Sequence, residues 1–132
     1  MGKDERPLWN PRAGSSIGRL KRRADFLRVA AARRKWAAPG LILQAAPQPD
    51  SAEEPSIRVG FTASRKVGNA VKRNRARRRL KALAAEMLAA GANPGLDLVL
   101  IARPATVDRP FDELRRDLQQ SLNRVKAARK TH

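Results

Sequence analysis

Hydrophobic and polar positions alternate most regularly between Ile57 and Ser64. Ile57, Val59, Phe61 and Ala63 take one face, and Arg58, Gly60, Thr62 and Ser64 take the other, which predicts a half-buried strand. The second face is small and polar, so something other than an apolar layer is expected over it. Leu96 to Ala102 is nearly all aliphatic, as in a strand covered on both sides. Leu41 to Ala45 reads as a third strand after the Pro39-Gly40 turn, and a short extra strand fits Lys35 to Ala37. Helical spacing appears three times. Arg23 to Arg34 places Phe26, Val29, Ala30 and Arg33 three and four apart. Ala70 to Ala90 carries a stripe of Ala76, Leu80, Leu83, Ala84 and Met87, with Asn69 placed to cap its start and Gly91 to stop it. Pro110 opens a last helix whose stripe is Phe111, Leu114, Leu118, Leu122 and Val125. Asp112 and Glu113 fall in the positive first turn of that helix, and Lys126, Arg129 and Lys130 at its negative end.

The element order αβββαβα predicts an α+β or α/β sandwich built on a small mixed four-stranded sheet. Strand 57–64, helix 70–90 and strand 96–102 form a crossover that pairs the two strands in parallel, for which a right-handed turn is the default. Residues 1–18, rich in Pro, Gly, Ser and charge, read as a disordered basic arm. Residues 19–128 read as a single domain, with folded structure starting near Leu20. Pro47 to Pro55 reads as a polar, acidic loop containing Asp50, Glu53 and Glu54.

Composition changes the picture by narrowing the partners. The chain has 132 residues and a formal net charge of +17, so a polyanion is the expected partner. No apolar run is long enough to span a bilayer, and the N-terminus MGKDERPLW has no apolar signal core, which predicts a cytoplasmic protein with no membrane partner. There is no cysteine, and the one histidine is His132 at the chain end. Thiolate metal sites and histidine acid–base chemistry are thereby excluded or disfavoured. The twelve acids are scattered rather than clustered as two-metal nucleases need. No catalytic residue is expected in the protein itself.

The charge is concentrated. Arg65 to Lys81 reads RKVGNAVKRNRARRRLK, nine Lys or Arg in seventeen positions, and no acid lies between Glu54 and Glu86. Such a block repels itself unless phosphates lie against it. Lys72, Arg73, Asn74, Arg75, Arg77 and Arg78 are the expected nucleic-acid contacts, because the planar guanidinium grips phosphate oxygens bidentately. A solvated helix face is the plain alternative, but no Glu stands four residues away to offset these charges, and they crowd the positive end of the helix dipole.

The run RVGFTASRKVGNAVKRNRARRRLKAL, Arg58 to Leu83, closely resembles the protein subunit of bacterial ribonuclease P. That family carries an Arg-Val-Gly strand, then Ser-x-Lys-x-Gly-Asn-Ala-Val, then an Arg-Asn-Arg helix. Here these are Arg58-Val59-Gly60-Phe61, Ser64 to Val71 and Arg73-Asn74-Arg75. Leu20-Lys21 with Asp25-Phe26, and Leu98 to Pro104, resemble the family's first helix and last strand. The resemblance covers about residues 19 to 125. It implies a left-handed βαβ crossover, against the default. It also implies two partners, a large catalytic RNA and precursor tRNA, and no DNA. The RNA with bound Mg²⁺ would remove the 5′ leader endonucleolytically, with Lys72 to Arg78 on the catalytic RNA.

The same resemblance places Phe26, Arg58, Arg65, Lys66 and Asn69 at the leader-binding cleft, and links the Asn69 region to metal-dependent behaviour without giving a firm protein metal ligand. Phe26 fits a core position as well as a stacking one, and Asn69 fits a helix cap as well as a cleft residue. A second aromatic common in the family is Ala30 here, a frequent Tyr is Gln44, and Ala76 replaces an aliphatic residue. Leader recognition should therefore lean on charge more than on stacking. A ribosomal-type structural protein that binds RNA without processing it is the alternative. A DNA-reading helix is disfavoured because residues 70–90 are too uniformly basic to read bases.

Overall fold

A computed structural model of the chain describes residues 17–49 and 57–128. The elements in chain order are β1 (Ile17–Arg19), α1 (Arg23–Ala31), β2 (Arg34–Ala37), β3 (Leu41–Pro47), β4 (Ile57–Thr62), α2 (Ala70–Gly91), β5 (Leu96–Ala102) and α3 (Phe111–Arg124). Short 3₁₀ turns at Arg65–Val67 and Pro104–Val107 lead into α2 and α3. The strands form one sheet in the order β1-β4-β5-β3-β2. β1, β4 and β5 run parallel, while β3 is antiparallel to both β5 and β2.

Alternation along the strands sorts the core into two layers. Ile57 and Val59 of β4, Leu98 and Leu100 of β5, and Leu41 and Leu43 of β3 face α2 and α3. There they meet Ala76, Leu80, Leu83 and Leu88 of α2 and Leu114, Leu118 and Leu122 of α3. The opposite face carries a smaller cluster of Leu20, Val29, Ala46 and Val99 under α1, with Phe26 and Ile101 packed against it. The α3 stripe is buried as its spacing predicts, apart from a half-buried Phe111.

The sheet has five strands, not four, and the folded chain begins before Leu20. Ile17–Arg19 pairs in parallel with Ile57–Val59, which buries Ile17 at the sheet edge. The first eighteen residues are therefore not all an arm; residues 1–16, including Trp9, lie outside the described residues, as do Asp50, Glu53, Glu54, Arg129, Lys130 and His132. Helix α1 stops at Ala31 rather than Arg34, because Arg33 takes a left-handed backbone (φ 61°) that turns the chain into β2. Strand β4 stops at Thr62, where Ser64 Oγ accepts from Lys66 N and starts a 3₁₀ turn. Gly91 is the last residue of α2 rather than its stop. Strand β3 continues through Pro47, so the loop begins later than expected.

The hand of the β4–α2–β5 connection follows from residue chirality. The Val59 side chain lies on the α2 face, and its carbonyl accepts from Leu20 N on the β1 side (3.0 Å). For an L-residue on an upward strand with its side chain toward the viewer, N–H and C=O both point right. β1 then lies to the right of β4 and β5 to the left, so we infer a left-handed connection, against the usual preference.

Two contacts hold α1 to the small polar face of β4. Gly60 lets the Phe26 ring lie directly on the strand, since a Cβ there would sit 2.4 Å from Phe26 Cε1. Beside it, Asp97 of β5 is fully buried and accepts a two-pronged bond from Arg58 (Nε to Oδ1 2.8 Å, Nη2 to Oδ2 2.7 Å). Arg28 of α1 also ion-pairs with Asp97, and Asp25 lies 3.3 Å from Arg28 and 3.8 Å from Arg58. The bond to Asp97 holds the Arg58 pKa above its ordinary value, opposed by burial. A buried carboxylate without such partners would be too costly to keep.

Two outcomes follow for equilibrium unfolding in urea. Gly60→Ala costs about 1–3 kcal/mol through overpacking, and a second change of Phe26→Leu restores part of it. Asp97→Asn costs about 2–3 kcal/mol, the low side for a broken buried pair because both arginines keep some contact with water.

Candidate nucleic-acid interface

The basic block is placed by two local devices. Gly68 has φ +141°, a backbone that L side chains rarely adopt, and a Cβ there would meet Lys72 Cδ at 2.7 Å. Asn69 then caps α2, its Oδ1 accepting from Lys72 N at 3.0 Å. Together they turn the chain from β4 into a 22-residue helix whose first turn carries no acid.

The arginines of α2 divide into two groups. Arg79 donates from Nη1 to Thr106 O (2.7 Å) and from Nη2 to Arg109 O (2.6 Å), and Arg75 donates from Nε to Val107 O (2.9 Å). These carbonyls belong to the 3₁₀ turn Pro104–Val107 and the residues just after it, so both side chains lash α2 to the segment before α3. Arg79 also lies 5.8 Å from the Phe111 ring centre. Its pKa is lowered by burial and then by Arg75, with Asp108 opposing.

The second group faces outward. Lys72, Asn74, Arg75 and Arg78 are exposed, and Arg77 is half-buried with Nη2 donating to Asn74 Oδ1 at 2.9 Å. Arg73 is half-buried and its Nε has no partner among the described residues. Lys81, one turn on, has its pKa lowered by burial, then by Arg19 and Arg77. The six residues expected to meet RNA thus share the first turns of one helix, with Arg75 serving the fold as well. Arg79 was missed as a distinct anchor. Its place three residues after Ala76 and four before Leu83, on the flank of the buried stripe, is the signal that could have found it.

The residues expected at a leader cleft occupy two places. Phe26 and Arg58 lie on the α1 side of the sheet, whereas Arg65, Lys66 and Asn69 lie exposed in the turn that leaves β4. Phe26 packs on the α1-side cluster, and with Lys21, Arg23 and Thr62 it lines an open cavity of about 320 Å³. A second cavity of about 450 Å³ adjoins through Lys21 and is lined by Arg19, Arg22, Asp25, Pro49 and Arg58. Arg19 and Arg22 were not singled out in the sequence, since they stand apart from the dense block, and Lys21 entered only through the resemblance to a first helix. Arg58 borders this cavity, but its guanidinium fork is committed to Asp97.

The donors among the described residues do not fit a protein-only Mg²⁺ site. Among the described residues no three acidic, His or Cys side chains converge, and the Asn69 side-chain oxygen already accepts from Lys72 N. Among those residues, too, no helix is long and apolar enough to cross a membrane.

The sequence pattern of the family described as Ribonuclease P matches residues 16–126. The ribonuclease P protein component of Paramagnetospirillum magneticum is 59% identical over 117 residues, covering 88% of this chain and 88% of that protein. That of Ruegeria pomeroyi is 49% identical over 116 residues, covering 87% and 91%. The fold is similar to the RNase P protein of Staphylococcus aureus, with a TM-score of 0.69 at 23% identity, covering 84% of this chain and 97% of that one. It is also similar to the RNase P protein of Thermotoga maritima, with a TM-score of 0.64 at 22% identity, covering 77% and 92%. At those identities the two structures speak to the fold alone, while the match along the sequence reaches further: the chain belongs to the ribonuclease P family as a bacterial protein component, a subunit of a tRNA-processing endoribonuclease.

Proposed function

We propose that the chain binds the catalytic RNA of ribonuclease P through Lys72, Arg73, Asn74, Arg77 and Arg78, with Arg75 shared between RNA and fold. In the same reading it guides the 5′ leader of precursor tRNA past Phe26, Lys66 and Asn69. The RNA, with Mg²⁺ bound mainly to it, carries out the cleavage in the cytoplasm. The observation that carries this reading is the outward-facing group on α2: closely spaced cations at a helix N-terminus with no acid in its first turn. Phosphates there would satisfy both the guanidinium groups and the helix dipole. The protein's part is to bind, orient and neutralise, and Mg²⁺ supplies Lewis-acid chemistry on the RNA.

Reconstitution tests it. The purified protein alone should leave precursor tRNA intact, and adding the cognate RNA at low salt and physiological Mg²⁺ should give mature 5′ ends. Cleavage by the protein alone, or RNA activity unmoved by the protein, contradicts the proposal. Competition between this RNA and duplex DNA should favour the RNA.

The division of the arginines yields a paired outcome. Arg73→Ala and Arg78→Ala should each reduce the salt slope of RNA binding by about 0.7–0.9 and leave thermal unfolding nearly unchanged. Arg79→Ala should cost about 1–3 kcal/mol of stability, because it strands two carbonyls. Equal effects of all three on stability and slope would erase the distinction.

A further inference from the structure

A second basic surface lies at the far edge of the sheet from β1, where β2 meets the end of α3. Its residues are Arg33, Trp36, Arg124 and Lys126, while Lys35, paired with Gln44, lies on the opposite face of β2. Arg34 of β2 fixes the geometry by donating from Nε to Val125 O (2.9 Å) and from Nη2 to Lys126 O (3.2 Å). The Arg124 guanidinium lies 4.7 Å from the centre of the half-buried Trp36 ring. Arg33, Arg124 and Lys126 are all exposed, and among the described residues none has a carboxylate partner.

A +17 protein has many solvated cations, so charge alone decides little. The backbone adds an independent observation. Among the described residues only two non-glycine positions have positive φ: Arg33 at 61° and Lys126 at 62°. Each is the residue just past a helix C-cap, Ala32 for α1 and Val125 for α3. That position favours glycine, which takes the left-handed backbone without strain. A cation near a helix C-terminus is favourable in itself, but Arg28 and Arg124 already stand in the two last turns. The chain thus holds a strained cation just past the C-terminus of α1 and another just past that of α3, and Arg34 ties the two segments together. Local strain kept at a surface position points from structure to function.

We propose that this corner is a second RNA-binding surface, with Arg33 and Lys126 on phosphates and the Trp36–Arg124 pair as a stacking platform. The proposal rests on the RNA-binding reading above. RNA is favoured over a lipid surface because the described patch offers one half-buried indole and cations, with no exposed apolar face to enter a bilayer. It lies at the β2 edge, away from α2, which packs on the sheet over β4 and β5, so two RNA segments could be held at once.

The test uses the full chain with Trp9→Phe, which leaves Trp36 as the one indole. Two chains are compared, this parent and its Arg33→Gly/Lys126→Gly variant, so that charge is removed while backbone strain is relieved. The variant should melt at a higher temperature than the parent. Its salt slope with ribonuclease P RNA should be smaller by about 0.7–0.9 for each of the two contacts. Oligouridylate should change Trp36 emission in the parent and much less in the variant. A higher melting temperature with unchanged slope and unchanged Trp36 response overturns the proposal and leaves a structural corner. A Trp36 response to phosphatidylserine vesicles but not to RNA overturns it in favour of a lipid. If the parent fails to bind the RNA at all, the functional reading itself fails. If the parent binds and only Arg73→Ala and Arg78→Ala lower the slope, the second surface alone is refuted.

Discussion

The hold of Arg79 on the carbonyls of Thr106 and Arg109 is the constraint on which the basic helix depends. Nine cations in seventeen residues must be kept in place with no acid among them. A helix so charged would gain from spreading its side chains into water, and the apolar stripe of α2 fixes only one of its faces. Half-buried Arg79 and exposed Arg75 use two of the repelling charges as hydrogen-bond donors to the carbonyls of Thr106, Val107 and Arg109. The lowered Arg79 pKa records the cost of that burial beside Arg75. The remaining cations are thereby mounted on a helix tied to the segment before α3, the preorganisation that the proposed phosphate contacts would use.

The other side of the sheet solves a different problem. Its small polar face is covered by a nine-residue helix of which Val29 alone is buried, so packing there is thin. Gly60 brings the Phe26 ring onto the strand, and Asp97 gathers Arg28 and Arg58 at the same level. A buried carboxylate is a poor source of net stability but a strong determinant of position. It fixes α1, and with it the two cavities that share Lys21.

Much of this was legible in the sequence where the cause is local. Asn69 caps, Gly68 takes a backbone reserved for glycine, and Leu96–Ala102 is the doubly covered strand its composition predicts. What escaped has non-local causes. Ile17–Arg19 is three residues in a Gly- and Ser-rich stretch, and it is a strand only because Ile57–Val59 lies alongside. Arg58 is placed at a leader cleft by resemblance, and its bond to Asp97, 39 residues away, has no signal in the strand's own pattern. Arg79 is indistinguishable from its neighbours by residue type; the carbonyls that claim it lie about thirty residues on, a separation of 27 to Thr106 and 30 to Arg109. Leu88 escaped the α2 stripe because Met87 fits the helical spacing from Leu83 and Ala84 as well as Leu88 does from Ala84; the structure buries Leu88 and leaves Met87 half-buried.

Arg75 and Arg79 hold the fold, and Arg73, Arg77 and Arg78 are proposed to meet phosphate. Guanidinium NMR with and without the ribonuclease P RNA separates the two roles. In the free protein, the Nε–H of Arg75 and the Nη–H groups of Arg79 should exchange slowly with water, and those of Arg77 and Arg78 quickly. On adding RNA, Arg73, Arg77 and Arg78 should shift and become protected, while Arg79 stays as it was. An Arg79 that exchanges freely in the free protein, or that shifts with the others on binding, would contradict the account.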